Sequence, residues 1–218
     1  MRLLLNAKTG QGKGVLITNY LLRDEYYNND FKGEDIYIFN PTMSETKNKI
    51  LIKQKKIPNS NLFETLDDAS LGAVLQFIQE QYLECIDSGE KPRHSLIIID
   101  DCAPSLKDKR NGAIQNLFIR GRHFMCSAII STQFYNKLPP VCRNNLSGLV
   151  SFETNLKQLE SISDDHNYLK GGMKSFKKLF YDCTSKNKHS TFIVNYSNEK
   201  QDRYMNGNFE SLNQLDYE

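Results

Sequence analysis

The sequence predicts an α/β fold built on a mainly parallel central sheet flanked by helices. Three observations carry this reading. Short apolar runs alternate with stretches of helical periodicity, one run (Leu96-Ile97-Ile98-Ile99) is apolar without a break, and the unusual polar residues stand directly after such runs. An unbroken apolar run suits a strand covered on both faces. Strands alternating with helices arrange themselves in parallel, and parallel sheets bind ligands off the carboxyl ends of their strands.

Leu3–Leu5 reads as the first strand, and Gly14 to Leu22 as the helix after it. Asp35 to Phe39 is strand-like and stops at Asn40-Pro41. Leu71, Val74, Leu75, Ile78, Tyr82 and Ile86 recur at spacings of three and four, one buried helix face. Ser70 is the expected N-cap of that helix, and Gly89 lies just beyond its end. Leu96 to Ile99 is the next strand, Ala113 to Phe118 a short helix, and Cys126 to Ser131 a further strand. Gly148 to Phe152 and Thr191 to Val194 read as strands, with a helix at Met173 to Phe180 between them.

A chain of 218 residues is long enough for one domain with a sizeable core and short for two. With 39% hydrophobic and 25% charged residues it has the composition of a folded chain. No apolar run approaches the roughly 18 residues of a membrane span, and Met1 to Leu5 turns polar at Asn6, before a secretory core could form. The five cysteines show no C-x-x-C pair, so neither a zinc site nor a disulfide framework is indicated, and reduced thiols are expected. A net charge of +2 excludes a histone-like coat while leaving room for local basic patches.

Immediately after Leu3–Leu5 comes Asn6-Ala7-Lys8-Thr9-Gly10-Gln11-Gly12-Lys13-Gly14, followed by a helix. A loop that wraps phosphates needs glycines, because successive backbone N–H groups must turn inward without Cβ clashes. It also needs a helix N-terminus aimed at the anion and a lysine that reaches the terminal phosphates. Gly10, Gly12 and Lys13 supply these. The strict phosphate-loop pattern has Gly and Ser or Thr where this chain has Ala7 and Gly14. The missing hydroxyl matters more, since it normally binds Mg²⁺. An ordinary glycine-rich strand–helix turn is the plainer alternative.

Leu96-Ile97-Ile98-Ile99-Asp100-Asp101 places two carboxylates at the end of a buried strand, with Asp100 suited to Mg²⁺ and Asp101 to polarising water. Strand-end aspartates also start turns or cap helices. Cys126 to Ser131 runs on to Thr132-Gln133, where an amide can sense a γ-phosphate or orient water. Arg120-Gly121-Arg122-His123 precedes that strand; a guanidinium there suits a finger on transition-state charge. Arg143, after Pro139-Pro140, is another candidate, and surface salt bridges are the bland reading of each.

Together, Ala7 to Gly14, Leu96 to Asp101, the Arg120–His123 element and Ile130-Ser131-Thr132-Gln133 with Leu138-Pro139-Pro140 resemble the FtsK–HerA superfamily of P-loop motors, nearest its poxvirus-type genome-packaging ATPases. The resemblance spans roughly residues 1–155, with weaker agreement through Phe192-Ile193-Val194. It implies a RecA-like domain at 1–196, with 197–218 left as an acidic tail (five acids against Lys200 and Arg203). It implies nucleotide binding by Ala7, Lys8, Thr9, Gly10, Gln11, Gly12, Lys13 and Gly14, metal binding by Asp100, and catalysis by Asp101, Gln133 and, across a subunit boundary, Arg120 or Arg122. ATP and Mg²⁺ are then the cofactors. The implied partners are double-stranded DNA, further copies in a hexameric or pentameric ring, and capsid or portal proteins, in the host cytoplasm, at a viral assembly site or in the virion.

Two lysine runs are candidates for holding DNA phosphates. Lys47, Lys49, Lys53, Lys55 and Lys56 stand against Glu45, and Lys170, Lys174, Lys177, Lys178, Lys186 and Lys188 against Asp182, the second interleaved with Phe176, Phe180 and Tyr181. Solvated helix faces with aromatics packed inward explain the same pattern. Two other functions stay open: a nucleotide-gated assembly protein with little hydrolysis, motivated by Gly14, and a P-loop kinase, against which stand Gln133, the Arg-His element and the lack of an arginine-rich lid.

Overall fold

The computed structural model describes residues 1–43, 46–106 and 112–217. Its centre is an eight-stranded sheet: β1 (Arg2–Asn6), β2 (Ile36–Phe39), β3 (Leu62–Phe63), β4 (Ser95–Ile99), β5 (Cys126–Thr132), β6 (Gly148–Phe152), β7 (Thr191–Asn195) and β8 (Tyr204–Asn206). The spatial order is β3-β2-β4-β5-β1-β6-β7-β8. The first six are parallel, and β7 and β8 close the edge antiparallel. The mainly parallel α/β sheet read from the sequence is the one found.

Strand side chains alternate between two cores, as a period of two requires. Leu4, Ile97, Ile99, Ala128 and Ile130 enter one core, while Leu3, Leu5, Leu96, Ile98 and Ile129 enter the other. The first core is covered by α3 (Asp68–Ser88), α5 (Gly112–Arg120), α7 (Leu156–His166) and α8 (Gly172–Thr184). The second is covered by α1 (Lys13–Leu22) and α2 (Thr46–Lys55), through Ile17, Leu21 and Leu51. Two short helices, α4 (Ala103–Leu106) and α6 (Pro140–Arg143), lie in the connections that follow β4 and β5.

Two boundaries differ from the sequence reading. Asp67, not Ser70, caps α3: its carboxylate accepts the Ser70 N–H at 2.8 Å, and Ser70 itself is inside the first turn. Asp is an equally good cap and sits where the backbone is still extended. The segment set apart as a tail supplies β8, whose Tyr204 is fully buried and packs beside the Phe192 ring. Residues 204–206 therefore complete the sheet, despite the acids around them.

Register brings four strand ends level. Asn6 pairs with Thr132, Phe39 with Ile99, and Ile99 with Ile130. The residues after these positions, from Ala7, Asn40, Asp100 and Gln133, thus emerge together at one edge.

Candidate nucleotide site

The loop after β1 turns through two glycines in the left-handed region, Gly10 at φ 76° and Gly12 at φ 108°, and Gly12 is the N-cap of α1. A side chain at either position would strain the backbone. Lys8, Thr9 and Gly10 are exposed at the loop's crest, whereas Ala7, Gln11, Lys13 and Gly14 are buried. Gln11 braces the loop from within: its Oε1 accepts the Lys8 N–H at 2.5 Å and its Nε2 donates to the Glu153 carbonyl at 3.1 Å. Any ligand contact from Gln11 must therefore come through its backbone.

Lys13 Nζ donates to the Ala7 carbonyl at 3.0 Å and stands 4.0 Å from Asp101 Oδ1. Gln133 Nε2 donates to the same Asp101 oxygen at 3.3 Å. Asp101 has φ 59°, a costly setting for a residue with a Cβ, and that turn aims its carboxylate at Lys13. Three residues far apart in sequence thus meet at the mouth of the glycine loop.

Asp100 is buried one residue earlier. Its Oδ1 accepts the Ser131 hydroxyl and its Oδ2 accepts Asn40 Nδ2 at 3.0 Å. Asn40 is itself fixed, its Oδ1 accepting the Thr42 N–H at 2.7 Å and hydroxyl at 2.8 Å. Gly14, Thr18, Asn40, Asn48 and Asp100 line a narrow cleft beside the loop. Thr18 does not fill in for the hydroxyl missing at Gly14, because its Oγ1 donates to the Gly14 carbonyl at 2.8 Å. Burial, reinforced by the Asp100 and Asp101 charges, pushes the neighbouring Cys102 thiol up to about 12.

Arg120 and Arg122 are not brought to this cluster. They lie at the amino end of β5, seven residues from its carboxyl end, which at about 3.3 Å per residue is some 20 Å away. Both are exposed: Arg120 lines a cleft between α3 and α5, and Arg122 repels Arg2, which burial has already lowered. Arg143 is engaged within the chain, 2.9 Å from Asp165 Oδ2 and over the Tyr135 ring.

Of the lysine runs, Lys55 turns inward to the carbonyls of Asn28 and Phe31, whereas Lys49, Lys53 and Lys56 are exposed. Glu45 and the Lys47 side chain lie outside the described residues. On α8, Lys174, Lys177 and Lys178 face solvent, while Phe176 and Phe180 are buried in the core. These two phenylalanines are core residues and are not available for stacking on bases, and Tyr181 is half-buried against the same core.

Sequence reasoning missed Asn40 and Ser131, which hold Asp100, and His189, whose Nδ1 meets the Gln11 carbonyl at 2.9 Å. Asn40 and Ser131 carried a faint signal, each bordering the end of an apolar run. His189 carried none, being 178 residues from Gln11.

A glycine loop leading into a helix, with acids and an amide on neighbouring strand ends of a mainly parallel sheet, is the arrangement of an α/β fold of the P-loop type. The chain belongs to the Poxvirus A32 protein family, which matches residues 1–208. It is 25% identical over 186 residues to uncharacterized protein 088R of Invertebrate iridescent virus 3, covering 84% of this chain but 65% of that one. Among solved structures, the genome-packaging NTPase B204 of Sulfolobus turreted icosahedral virus 2 in complex with sulfate superposes with TM-score 0.61 at 17% identity, covering 94% of each chain. The same protein in complex with AMPPCP gives 0.60 at 18% identity, covering 90% of this chain and 92% of that one. The fold is thus one found in viral genome-packaging NTPases. Among the described residues, no helix is long and apolar enough to cross a membrane.

Proposed function

We propose that the chain is an ATP-hydrolysing motor that moves double-stranded DNA, packaging a viral genome into a preformed capsid. The observation that carries this reading is the meeting of Lys13, Asp101 and Gln133 at the glycine loop, with contacts of 4.0 and 3.3 Å. Membership of the poxvirus-type family supports it.

In this reading the backbone N–H groups of Lys8 to Gly14 cradle the phosphates at the positive end of α1. Lys13 exchanges its internal partners for phosphate oxygens. Asp101 draws a proton from the attacking water, and Gln133, bonded to the same carboxylate, orients that water and registers loss of the γ-phosphate. Arg120 or Arg122, too distant within its own chain, serves the site of a neighbouring copy, so the working form is a ring.

The family implies Mg²⁺, which offsets phosphate charge when bound. Mg²⁺ is commonly held by one or two carboxylates together with phosphates and water, not by a protein cage. The residues fit that mode: Asp100 is a buried carboxylate oriented by two donors, and it lines a narrow cleft in which Thr18, Asn40 and Asn48 stand beside Ile17, Ile38, Leu51 and Ile98. Among the described residues there is no His/Cys/Asp/Glu cluster of the cage type. DNA phosphates would meet the exposed lysines of α2 and α8, with binding that weakens steeply in salt.

The test is ATPase rate with and without duplex DNA, read beside particle mass in solution. The reading expects Mg²⁺-dependent hydrolysis, stimulation by duplex DNA, a multimer, and collapse in Lys13→Ala. Hydrolysis that ignores DNA in a stable multimer removes the motor. Nucleotide affinity with no turnover under any condition favours instead a nucleotide-gated assembly protein, the reading that the bare Gly14 position supports.

A further inference from the structure

Next to the Gln133 turn lies a buried cluster of titratable groups that serves no step of the hydrolysis proposed for this site. Tyr135 follows Gln133 by two residues and is fully buried, so its hydroxyl and backbone N–H both need partners within the protein. Helix α7 supplies them. The Tyr135 N–H donates to Gln158 Oε1 at 3.0 Å, and the hydroxyl donates to Asp165 Oδ2 at 2.6 Å. Arg143 closes the group, 2.9 Å from the same Asp165 oxygen and 5.0 Å from the centre of the Tyr135 ring.

Each proton in the cluster has a place. Burial lowers the His166 pKa to about 4, so at pH 7 the ring is neutral, with one nitrogen donating and the other accepting. A phenol carries one proton, and Tyr135 gives its own to Asp165. Its oxygen therefore accepts from His166 Nε2 at 2.7 Å. His166 Nδ1 is left as the acceptor and takes the Tyr196 hydroxyl at 2.5 Å. Hydrogen bonds chained in this way strengthen one another in a dry interior, so the Tyr135 ring is held in direction as well as packed.

That rigidity bears on the residue two positions earlier. On one flank of Gln133, Thr132 is buried as the last residue of β5, and its Oγ1 accepts the Phe134 N–H at 3.1 Å. On the other flank stands Tyr135. Between them Gln133 is half-buried and Phe134 exposed, so the crest of the turn takes its course from its two ends. We propose that Tyr135 is a positioning residue for Gln133: clamped against α7, it holds the turn after β5 where the Gln133 amide reaches Asp101. The proposal rests on the hydrolytic reading above and adds what sets the direction of its amide.

The test is a double-mutant cycle on ATP turnover. Tyr135→Phe keeps the ring and removes only the hydroxyl. Its kcat is expected to fall about tenfold, while affinity for a non-hydrolysable ATP analogue stays within about twofold, because a displaced group costs rate and the phosphate loop is untouched. In a Gln133→Ala background the same change should cost less than twofold, since the clamp has no amide left to place. A purely structural role would give the same loss in both backgrounds. Asp165→Ala, at a half-buried position, releases the clamp from the α7 side and supplies the cycle if Tyr135→Phe fails to fold. Unchanged turnover in a folded variant, equal losses in the two backgrounds, or a parallel loss of nucleotide affinity overturns the proposal and leaves the hydrolytic reading standing. An unmodified chain that never hydrolyses ATP, or a Gln133→Ala chain as fast as the unmodified one, refutes that reading of the site, and this proposal with it.

Discussion

Gln133 and Asp101 share a hydrogen bond of 3.3 Å across adjacent strand ends, and through Asp101 the amide is linked to Lys13. The Gln133 amide bonds Asp101, which faces the attacking water in the proposed reading, so it bears on turnover more than on binding. Gln133→Ala is expected to lower ATP turnover by roughly a hundredfold, the scale of losing one oriented donor. Nucleotide affinity should stay within about threefold, because the phosphate cradle is untouched. Single-turnover hydrolysis beside equilibrium titration checks both; equal losses in the two would contradict the assigned role.

Asp101 occupies a left-handed backbone setting that glycine adopts freely. Asp101→Gly is expected to leave stability unchanged or raise it by about 1 kcal/mol while turnover drops by two orders of magnitude or more. Denaturant unfolding together with ATPase rates provides the comparison. A clearly destabilised protein would mean that the contact with Lys13 outweighs the strain.

Ser131 and Asn40 orient the Asp100 carboxylate from two sides. Loss of such supporting donors typically weakens metal binding 10- to 100-fold. Ser131→Ala and Asn40→Ala should each shift Mn²⁺ binding, followed by electron paramagnetic resonance with a non-hydrolysable ATP analogue, by about that factor. Asp100→Asn should shift it further still.

Gly14 is buried in the first turn of α1, outside the left-handed region, so its backbone accepts a side chain. Gly14→Ser is expected to raise Mg²⁺-dependent affinity and turnover several-fold by restoring the hydroxyl usual at that position. A titration of rate against Mg²⁺ reads this directly, and no gain would mean another group already serves.

His166 lies between Tyr135 and Tyr196, whose hydroxyls meet its two ring nitrogens. Burial pulls its pKa down from 6.5 to about 4, with Arg143 adding to the effect and Asp165 opposing it. The folded state therefore binds this proton less readily than the unfolded chain. The stability it protects is complete above about pH 6.5 and declines as pH falls toward 4, by about 3 kcal/mol over the window. Unfolding free energy measured from pH 7 to 4 should slope accordingly, and His166→Gln should flatten that slope.

What the sequence disclosed, and what it hid, follows from distance along the chain. Leu3–Leu5, Leu96–Ile99 and, within β5, Ala128–Ile130 announce themselves because a strand covered on both faces is apolar along its middle. The loop and the acids were legible because each is contiguous with such a run. β3 has two residues, too few for any period to show. α2 carries three lysines between Thr46 and Gln54 and exposes Ile50 while burying Leu51, so no apolar stripe stands out. α7 hides likewise, its Leu159, Ile162 and His166 buried within an otherwise polar segment. The residues that support the site, Asn40, Ser131 and His189, act across 31 to 178 positions. Nothing local distinguishes them from other polar residues.

β8 is three residues long, yet among the described residues it is the strand that pairs with the outer side of β7. Remove it and β7 would offer a row of unpaired N–H and C=O groups flanked by Phe192 and Val194, a template for strand exchange between molecules. Shortening the chain before Tyr204 should therefore promote self-association through that raw edge, whatever else the missing residues do.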